Sequence, residues 1–263
     1  MKKITFFFTL LFVFSVSAYP QTKAENADEL LNATVWMQRS GEYKALTEQA
    51  FNIGTLRLSQ ILIQDSCQKP KAIVLDIDET VLDNSPFEAY EILQKRSFKK
   101  EDWDKWVKKA DAEPLSGALR FLNFAKDNGV QAFYVTNRDE KERAATLLNL
   151  QKKNFPFADN EHLILKSEKS SSKESRRQKI AQTYSIVLFF GDNLNDFSDI
   201  YYYANDGKSA AEKVTENPEV FGQKYIILPN AMYGDWEKEI NKRFPQKGLS
   251  PKDKKIKALQ SFE

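Results

Sequence analysis

Five short apolar runs, separated by stretches of helical periodicity, set the main constraint on this chain. They are Ala72–Asp76, Gln131–Val135, His162–Leu165, Ile186–Phe190 and Tyr225–Leu228. Runs of this length, rich in β-branched and aromatic residues, read as buried strands. Between them, residues around 115–128, 138–153, 174–183 and 195–204 carry helical spacing. Strands alternating with helices predict an α/β fold, a parallel sheet with helices on both faces. The first run ends on Asp76-Ile77-Asp78-Glu79-Thr80, which places two carboxylates at the sheet edge where open α/β sheets bind ligands. One acid there can attack as a nucleophile while the other manages a proton. The bland reading of the same residues is a solvated strand end, since Asp is common in turns.

The flanking segments organise around this core. Leu30, Leu31, Val35, Leu46, Ala50, Ile53, Leu56, Leu58 and Ile61 recur at helical spacing within residues 27–64, with a break at Ser40-Gly41. We therefore expect an amino-terminal helical segment over residues 19–69, packed on a core domain over residues 70–263. Residues 83–114 are too many for one crossover helix and carry Trp103, Trp106 and Val107 at helical spacing, which predicts a small helical cap. Lys166–Lys179 reads as a surface loop leading into a helix. Ser250-Pro251 reads as the capped start of a short final helix.

Residues 1–18 stand apart. Lys2 and Lys3 precede an apolar run from Ile4 to Val16, and Val16-Ser17-Ala18 offers small residues for cleavage. This is the pattern of a secretory signal, with an uncleaved anchor as the alternative, and the run is short for a membrane span. Removing it lowers Lys+Arg from 39 to 37 against 37 Asp+Glu. That balance lacks the basic surplus expected of a protein that binds nucleic acid polymers. Cys67 is the sole cysteine, so no intramolecular disulfide forms, and it lies too far along to carry a lipoprotein anchor. The expectation is a soluble exported protein, periplasmic or secreted.

Other strand ends supply groups complementary to the two acids. The second strand runs into Thr136-Asn137-Arg138, and the fourth into Gly191-Asp192-Asn193-Leu194-Asn195-Asp196. If a helix begins there, the spacing of Asp192 and Asp196 brings both carboxylates toward one face. Lys173, after the third strand, is a counter-charge. Four carboxylates converging on one pocket repel, so the site calls for a divalent cation, and oxygen-only ligands suit Mg²⁺.

Asp76-Ile-Asp-Glu-Thr80, Thr136, Lys173 and Gly191-Asp-Asn-Leu-Asn-Asp196 resemble, in order, the four motifs of the haloacid dehalogenase superfamily of phosphotransferases. More narrowly, the chain resembles the class C bacterial acid phosphatases, a group that includes lipoprotein nucleotidases. Leu82-Asp-Asn-Ser-Pro86, Tyr134-Val-Thr-Asn-Arg138, Tyr184 with Ile186-Val-Leu188, and Leu228-Pro-Asn-Ala231 with Tyr233-Gly234 agree with it, as does Trp36–Leu46.

The resemblance implies a Rossmann-like parallel sheet and a phosphomonoesterase acting through an aspartyl-phosphate. Asp76 is then the nucleophile and Asp78 the general acid and later base. Mg²⁺ is held by Asp76, the backbone carbonyl of Asp78, and Asp192, with Asp196 supporting that shell. Thr136, Asn137 and Lys173 bind phosphoryl oxygens, with Lys166 and Lys169 as competitors for the lysine role. Trp103 and Tyr233 match aromatics that clamp a nucleobase or nicotinamide ring, although helical spacing with Trp106 also fits Trp103 as ordinary core. The substrate class is a nucleoside monophosphate or nicotinamide mononucleotide, with a sugar phosphate as alternative. A non-enzymatic binding protein on the same fold is the reading from another class. A homodimer is implied by resemblance alone. His162 matches no motif and reads as structural.

Overall fold

The computed structural model of the protein describes residues 25–64, 69–166, 171–201 and 207–262. The amino-terminal apolar run, Cys67 and Lys169 lie outside the described residues. Two helices come first, α1 (Glu25–Arg39) and α2 (Gly41–Gln64), joined at Ser40 where the break is expected. The Ser40 hydroxyl accepts a 3.0 Å hydrogen bond from the Tyr43 amide, which satisfies an amide that the start of α2 would leave unpaired.

Strand β1 (Lys71–Leu75) follows, and the chain then leaves the sheet. The excursion comprises β2 (Leu82–Asp83), α3 (Ser85–Leu93), α4 (Lys100–Lys109) and β3 (Glu113–Pro114). Antiparallel pairing of β2 with β3 closes its neck, so the insertion carries two helices above a short two-stranded stem. Helix α5 (Ala118–Asp127) and β4 (Gln131–Asp139) return the chain to the sheet. Next come α6 (Arg143–Lys152), β5 (Leu163–Lys166), α7 (Glu174–Thr183) and β6 (Ser185–Gly191). The last elements are α8 (Ala210–Glu216), β7 (Tyr225–Ile227), α9 (Asp235–Arg243) and α10 (Pro251–Ala258). Ser250 caps α10 reciprocally with Asp253, as the sequence predicts.

All five core strands are parallel, in the order β5-β4-β1-β6-β7. From β1 the connections run first toward β4 and β5, then cross to β6 and β7. The reversal at the carboxyl end of β1 leaves a crevice beside Asp76. No described helix is long and apolar enough to cross a membrane.

Alternation along β1 divides the core between the two faces. Ile73 and Leu75 join Phe51, Leu58, Phe121 and Phe190 on one side, while Ala72 and Val74 join Phe133, Phe189 and Ile180 on the other. Phe51 of α2, Phe121 of α5 and Phe190 of β6 form a tight trio, with ring centroids 4.6–5.9 Å apart. Each such ring contributes about 1.5–3 kcal/mol by burial. The approach depends on Gly54, where a Cβ would fall 2.4 Å from the Phe190 ring. The amino-terminal helices are thus built into the core, and they press on the strand that leads to Asp192.

One expected helix does not form. Residues 195–204 read as helical, but the chain makes two short 3₁₀ turns, Leu194–Asp196 and Asp199–Tyr201, and residues 202–206 are outside the described set. Asn193 has extended backbone, its side chain accepts from the Asn195 amide, and Asp196 turns back to accept from the Asn193 amide at 3.0 Å. These local side-chain bonds compete with a regular helix and win.

Candidate active site

Asp76 follows directly on β1, and its amide donates to the Phe190 carbonyl of β6 at 3.0 Å. The strand ladder therefore continues to the residue itself. Past Asp78 the chain turns sharply: the amides of Thr80, Val81 and Leu82 all point at the Ile77 carbonyl, at 2.9–3.3 Å. Glu79 sits in the left-handed region, with φ 56, a conformation uncommon outside glycine. Its fully buried carboxyl accepts the Asn84 amide at 2.7 Å. The turn is thereby held from inside, and both motif aspartates are presented at the crevice.

Three carboxylates meet there. Oxygens of Asp76, Asp192 and Asp196 all lie within 4.8 Å of one another. The convergence of Asp192 and Asp196 comes from the turn around Asn193 rather than from one helical face. Gly191 makes the approach possible, since a Cβ there would fall 2.3 Å from Asp196 Oδ2. Lys173, at the start of α7 and buried, reaches into the cluster, bonding Asp76 and, at 2.7 Å, Asp196. Of the two candidate lysines among the described residues, Lys173 is therefore the one placed among the acids. Lys166 lies on edge strand β5, opposite Asp139.

The electrostatics follow from burial and crowding. Burial, then the charges of Asp196 and Asp78, hold the Asp76 carboxyl above its ordinary range against the opposing pull of Lys173. Burial and the charges of Asp196 and Asp76 push Asp192 up as well. Burial alone would lower Lys173, yet Asp196 and Asp76 outweigh it and raise its pKa. One ammonium among three carboxylates leaves an excess of negative charge. An all-oxygen donor set of this charge and spacing fits a small divalent cation.

Asp78 does not belong to that cluster, so three carboxylates converge rather than the four expected. Its carboxylate is turned to Arg138, whose Nη2 donates to Oδ1 at 2.7 Å, and to Asn84, whose Nδ2 donates to the same oxygen at 2.8 Å. This removes one negative charge from the crowded centre and leaves only the backbone carbonyl of Asp78 for the metal role that the resemblance implies.

The remaining candidates lie around this centre. Thr136 is fully buried in β4, its hydroxyl accepting from the Arg138 amide at 3.1 Å. Asn137 is exposed and tied to Ser171 and Arg176. Arg176 also donates to the Thr136 carbonyl at 2.6 Å, which locks the β4 end to α7. Trp103 of α4 is half-buried, edge-on to Phe87 at 5.2 Å, with the Arg138 guanidinium 5.4 Å from its ring centre. Tyr233 is half-buried in the loop after β7 and packs on the main core. Trp103 thus lies on the cap beside Arg138, and Tyr233 in the loop that carries Asn230, the partner of Asp192. His162 bonds Asp159 and Gln131 between Phe133 and Phe157, the environment of a structural residue.

Two contributors were not picked out as site residues from sequence. Asn230 Nδ2 donates to Asp192 Oδ2 at 2.8 Å while its own oxygen accepts from the Met232 amide at 2.9 Å. Asn84 ties Asp78 to the turn at Glu79 and to the cap, through Trp106 Nε1 at 2.8 Å. Both sit in segments noted for resemblance, Leu228-Pro-Asn-Ala231 and Leu82-Asp-Asn-Ser-Pro86, and that was their one visible signal.

A family model described as HAD superfamily, subfamily IIIB (acid phosphatase), matches residues 9–236. The chain belongs to this family. A class C acid phosphatase from Bacillus anthracis, solved with tungstate bound, is 41% identical with a TM-score of 0.82, covering 90% of this chain and 99% of that one. A second structure of the class C acid phosphatase from that organism gives 40% identity and a TM-score of 0.81, covering 91% and 100%. Acid phosphatase 1 of Solanum lycopersicum is 29% identical over 130 residues, 47% of this chain and 50% of that protein. The stem 31 kDa glycoprotein of Glycine max is 29% identical over 128 residues, again 47% and 50%. The chain spans about half the length of these curated relatives.

Gly191 gives a direct test of the geometry. In Gly191→Ala the new methyl group must displace Asp196, which breaks its bonds to Lys173 and the Asn193 amide. We expect destabilisation of about 1–3 kcal/mol from overpacking, with a lower affinity for divalent cations, read by urea denaturation and metal titration. Unchanged metal affinity in a folded variant would show that Asp196 does not shape the metal site.

Proposed function

We propose that this protein is an exported, Mg²⁺-dependent acid phosphatase of the 5'-nucleotidase type. It would hydrolyse small phosphomonoesters, preferring nucleoside monophosphates or nicotinamide mononucleotide. The observation that carries this reading is Asp76, buried between Lys173 and two further carboxylates, with a second acid two residues on that is kept out of the cluster.

In this reading Asp76 attacks phosphorus and the bond to the alcohol oxygen breaks, giving an aspartyl-phosphate. Asp78 gives its proton to the departing oxygen. It then takes a proton from water, whose oxygen attacks phosphorus and restores Asp76 with release of phosphate. Lys173 and Thr136 bind the transferring phosphoryl oxygens. Asp76, Asp192, Asp196 and the Asp78 carbonyl would hold Mg²⁺, with Asn230 orienting Asp192. The ion supplies charge neutralisation, without which a carboxylate and a phosphate dianion repel.

Asp76→Asn removes the attacking charge and a metal donor together, so turnover should fall on the order of a thousandfold or more with the fold retained. Chelation of wild-type protein with EDTA should abolish turnover, and added Mg²⁺ should restore it. Near-normal activity in folded Asp76→Asn, or indifference to chelation, would refute the mechanism.

Substrate preference is supported by the resemblance of Trp103 and Tyr233 to clamping aromatics, with Trp103 on the cap and Tyr233 in the loop after β7. Stacking contributes roughly 1–3 kcal/mol per ring, enough to rank substrates. Tyr233→Ala and Trp103→Ala should raise KM for nucleoside monophosphates several-fold more than for glycerol phosphate. Tyr233 is the cleaner case, because Trp103 also packs on Phe87 and Arg138. Equal effects on both substrates would remove the aromatic clamp.

Export is supported by Lys2-Lys3, the Ile4–Val16 apolar run and Val16-Ser17-Ala18. Mass spectrometry of protein from its native host should find a chain starting near Tyr19 without lipid. Retention of the first 18 residues, or an acyl chain, would overturn this.

A further inference from the structure

Asp78 is held asymmetrically. Its Oδ1 accepts from Arg138 Nη2 at 2.7 Å, Arg138 Nε at 3.1 Å and Asn84 Nδ2 at 2.8 Å. Its Oδ2 has one long contact, 3.2 Å, to the same Nε. Oδ1 thus has two short donors of its own, while the Nε–H is shared between the oxygens, so Oδ2 keeps the greater free acceptor capacity. The Asp78 side chain is 19% exposed and the Arg138 side chain 2%, so solvent and substrate reach the pair from the carboxylate side.

Arg138 is itself fixed on every side. Its Nη1 donates to Thr146 Oγ1 at 3.1 Å, and its Nη2 makes a longer contact, 3.4 Å, to Asn84 Oδ1. The Trp103 ring of the cap covers the guanidinium at 5.4 Å, within the range for attraction between a cation and an aromatic face. Asn84 is steered in turn by Trp106 Nε1. A buried ion pair is a costly way to hold a fold together, because desolvation offsets much of the attraction. Here the pair is spent on a carboxylate beside the nucleophile.

We propose that Arg138 is a positioning residue for proton transfer, anchoring Asp78 Oδ1 with Asn84 so that Oδ2 is the oxygen that carries the proton. This deepens the phosphomonoesterase reading and rests on it. When the bond between phosphorus and the alcohol oxygen breaks, that oxygen takes the electron pair and then the proton from Asp78 Oδ2. The carboxylate left behind is already paired with the guanidinium, so no side chain has to move to meet the new charge. In the second half-reaction the same oxygen accepts the proton of the attacking water. Trp103 contributes by keeping the guanidinium plane in register with Asp78, so a cap residue reaches the chemistry through Arg138.

A general acid matters most when the leaving group is a poor one. The test is therefore kcat/KM for ringless alkyl phosphates of similar size but improving leaving groups: ethyl, 2-chloroethyl and 2,2,2-trifluoroethyl phosphate. Without rings, stacking on Trp103 or Tyr233 plays no part. In Arg138→Lys the charge remains but the two-toothed grip is lost. The loss on ethyl phosphate should exceed that on trifluoroethyl phosphate by about tenfold or more, reflecting the general-acid contribution. Trp103→Leu should show the same trend more weakly, and Trp103→Phe, which keeps a ring over the guanidinium, should restore the wild-type pattern. That pair decides the matter if Arg138→Lys fails to fold. Parallel losses across the three esters, or no loss, would overturn the assignment while leaving the phosphatase reading in place. Wild-type protein inert toward every phosphomonoester would instead sink that reading and this assignment with it.

Discussion

The ammonium of Lys173, buried among Asp76, Asp196 and Asp192, is the contact on which the rest of the site depends. Three carboxylates so close together in a crevice would not stay ionised unaided, because burial and mutual repulsion both favour protonation. Lys173 offsets part of that charge, and its own burial is tolerable because two of those carboxylates surround it. What remains is a negative excess that a divalent cation would balance. Lys173 and one divalent cation together balance the three carboxylates, and without the cation their mutual repulsion strains the site. Asp78 relieves that strain by pairing with Arg138 outside the cluster.

The scaffold supplies this arrangement through long-range contacts. Asp76 and Asp192 stand at the ends of adjacent parallel strands, β1 and β6, so their separation follows from sheet geometry. Phe190, next but one before Asp192, is gripped by Phe51 and Phe121, so α2 helps to set the height of the β6 end. On the other flank, Lys100 of α4 bonds Glu142 at 2.6 Å and Trp106 bonds Asn84. The cap is thus tied to the body at the same place where it reaches Arg138. Amino-terminal helices, sheet and cap each fix one component of the site.

Much of this was legible in the sequence, for identifiable reasons. Strand positions follow from short apolar runs, and Asp76, Thr136 and Asp192 from the residues that end them. The split between α1 and α2 was visible at Ser40-Gly41. The expected helix over 195–204 failed because its periodicity says nothing of Asn193 and Asp196 closing a local ring of side-chain bonds. Asp78 was expected among four converging acids, since spacing places it beside Asp76. Its actual orientation depends on Arg138, sixty residues away, and on a cap whose placement no local pattern encodes. Asn230 was invisible as a partner of Asp192 for the same reason. Trp103 fits neither of the alternatives read from sequence cleanly, being packed on Phe87 and set against the guanidinium that holds Asp78.

The central claim is that Asp76 becomes covalently phosphorylated during turnover. Mass spectrometry of peptides from Mg²⁺-loaded protein, acid-quenched while hydrolysing a phosphomonoester, tests it directly. The account predicts one added phosphoryl group on the peptide containing Asp76, absent when substrate is withheld and gone once it is exhausted. Active protein that never carries phosphate on Asp76, or carries it on another residue, would contradict the account.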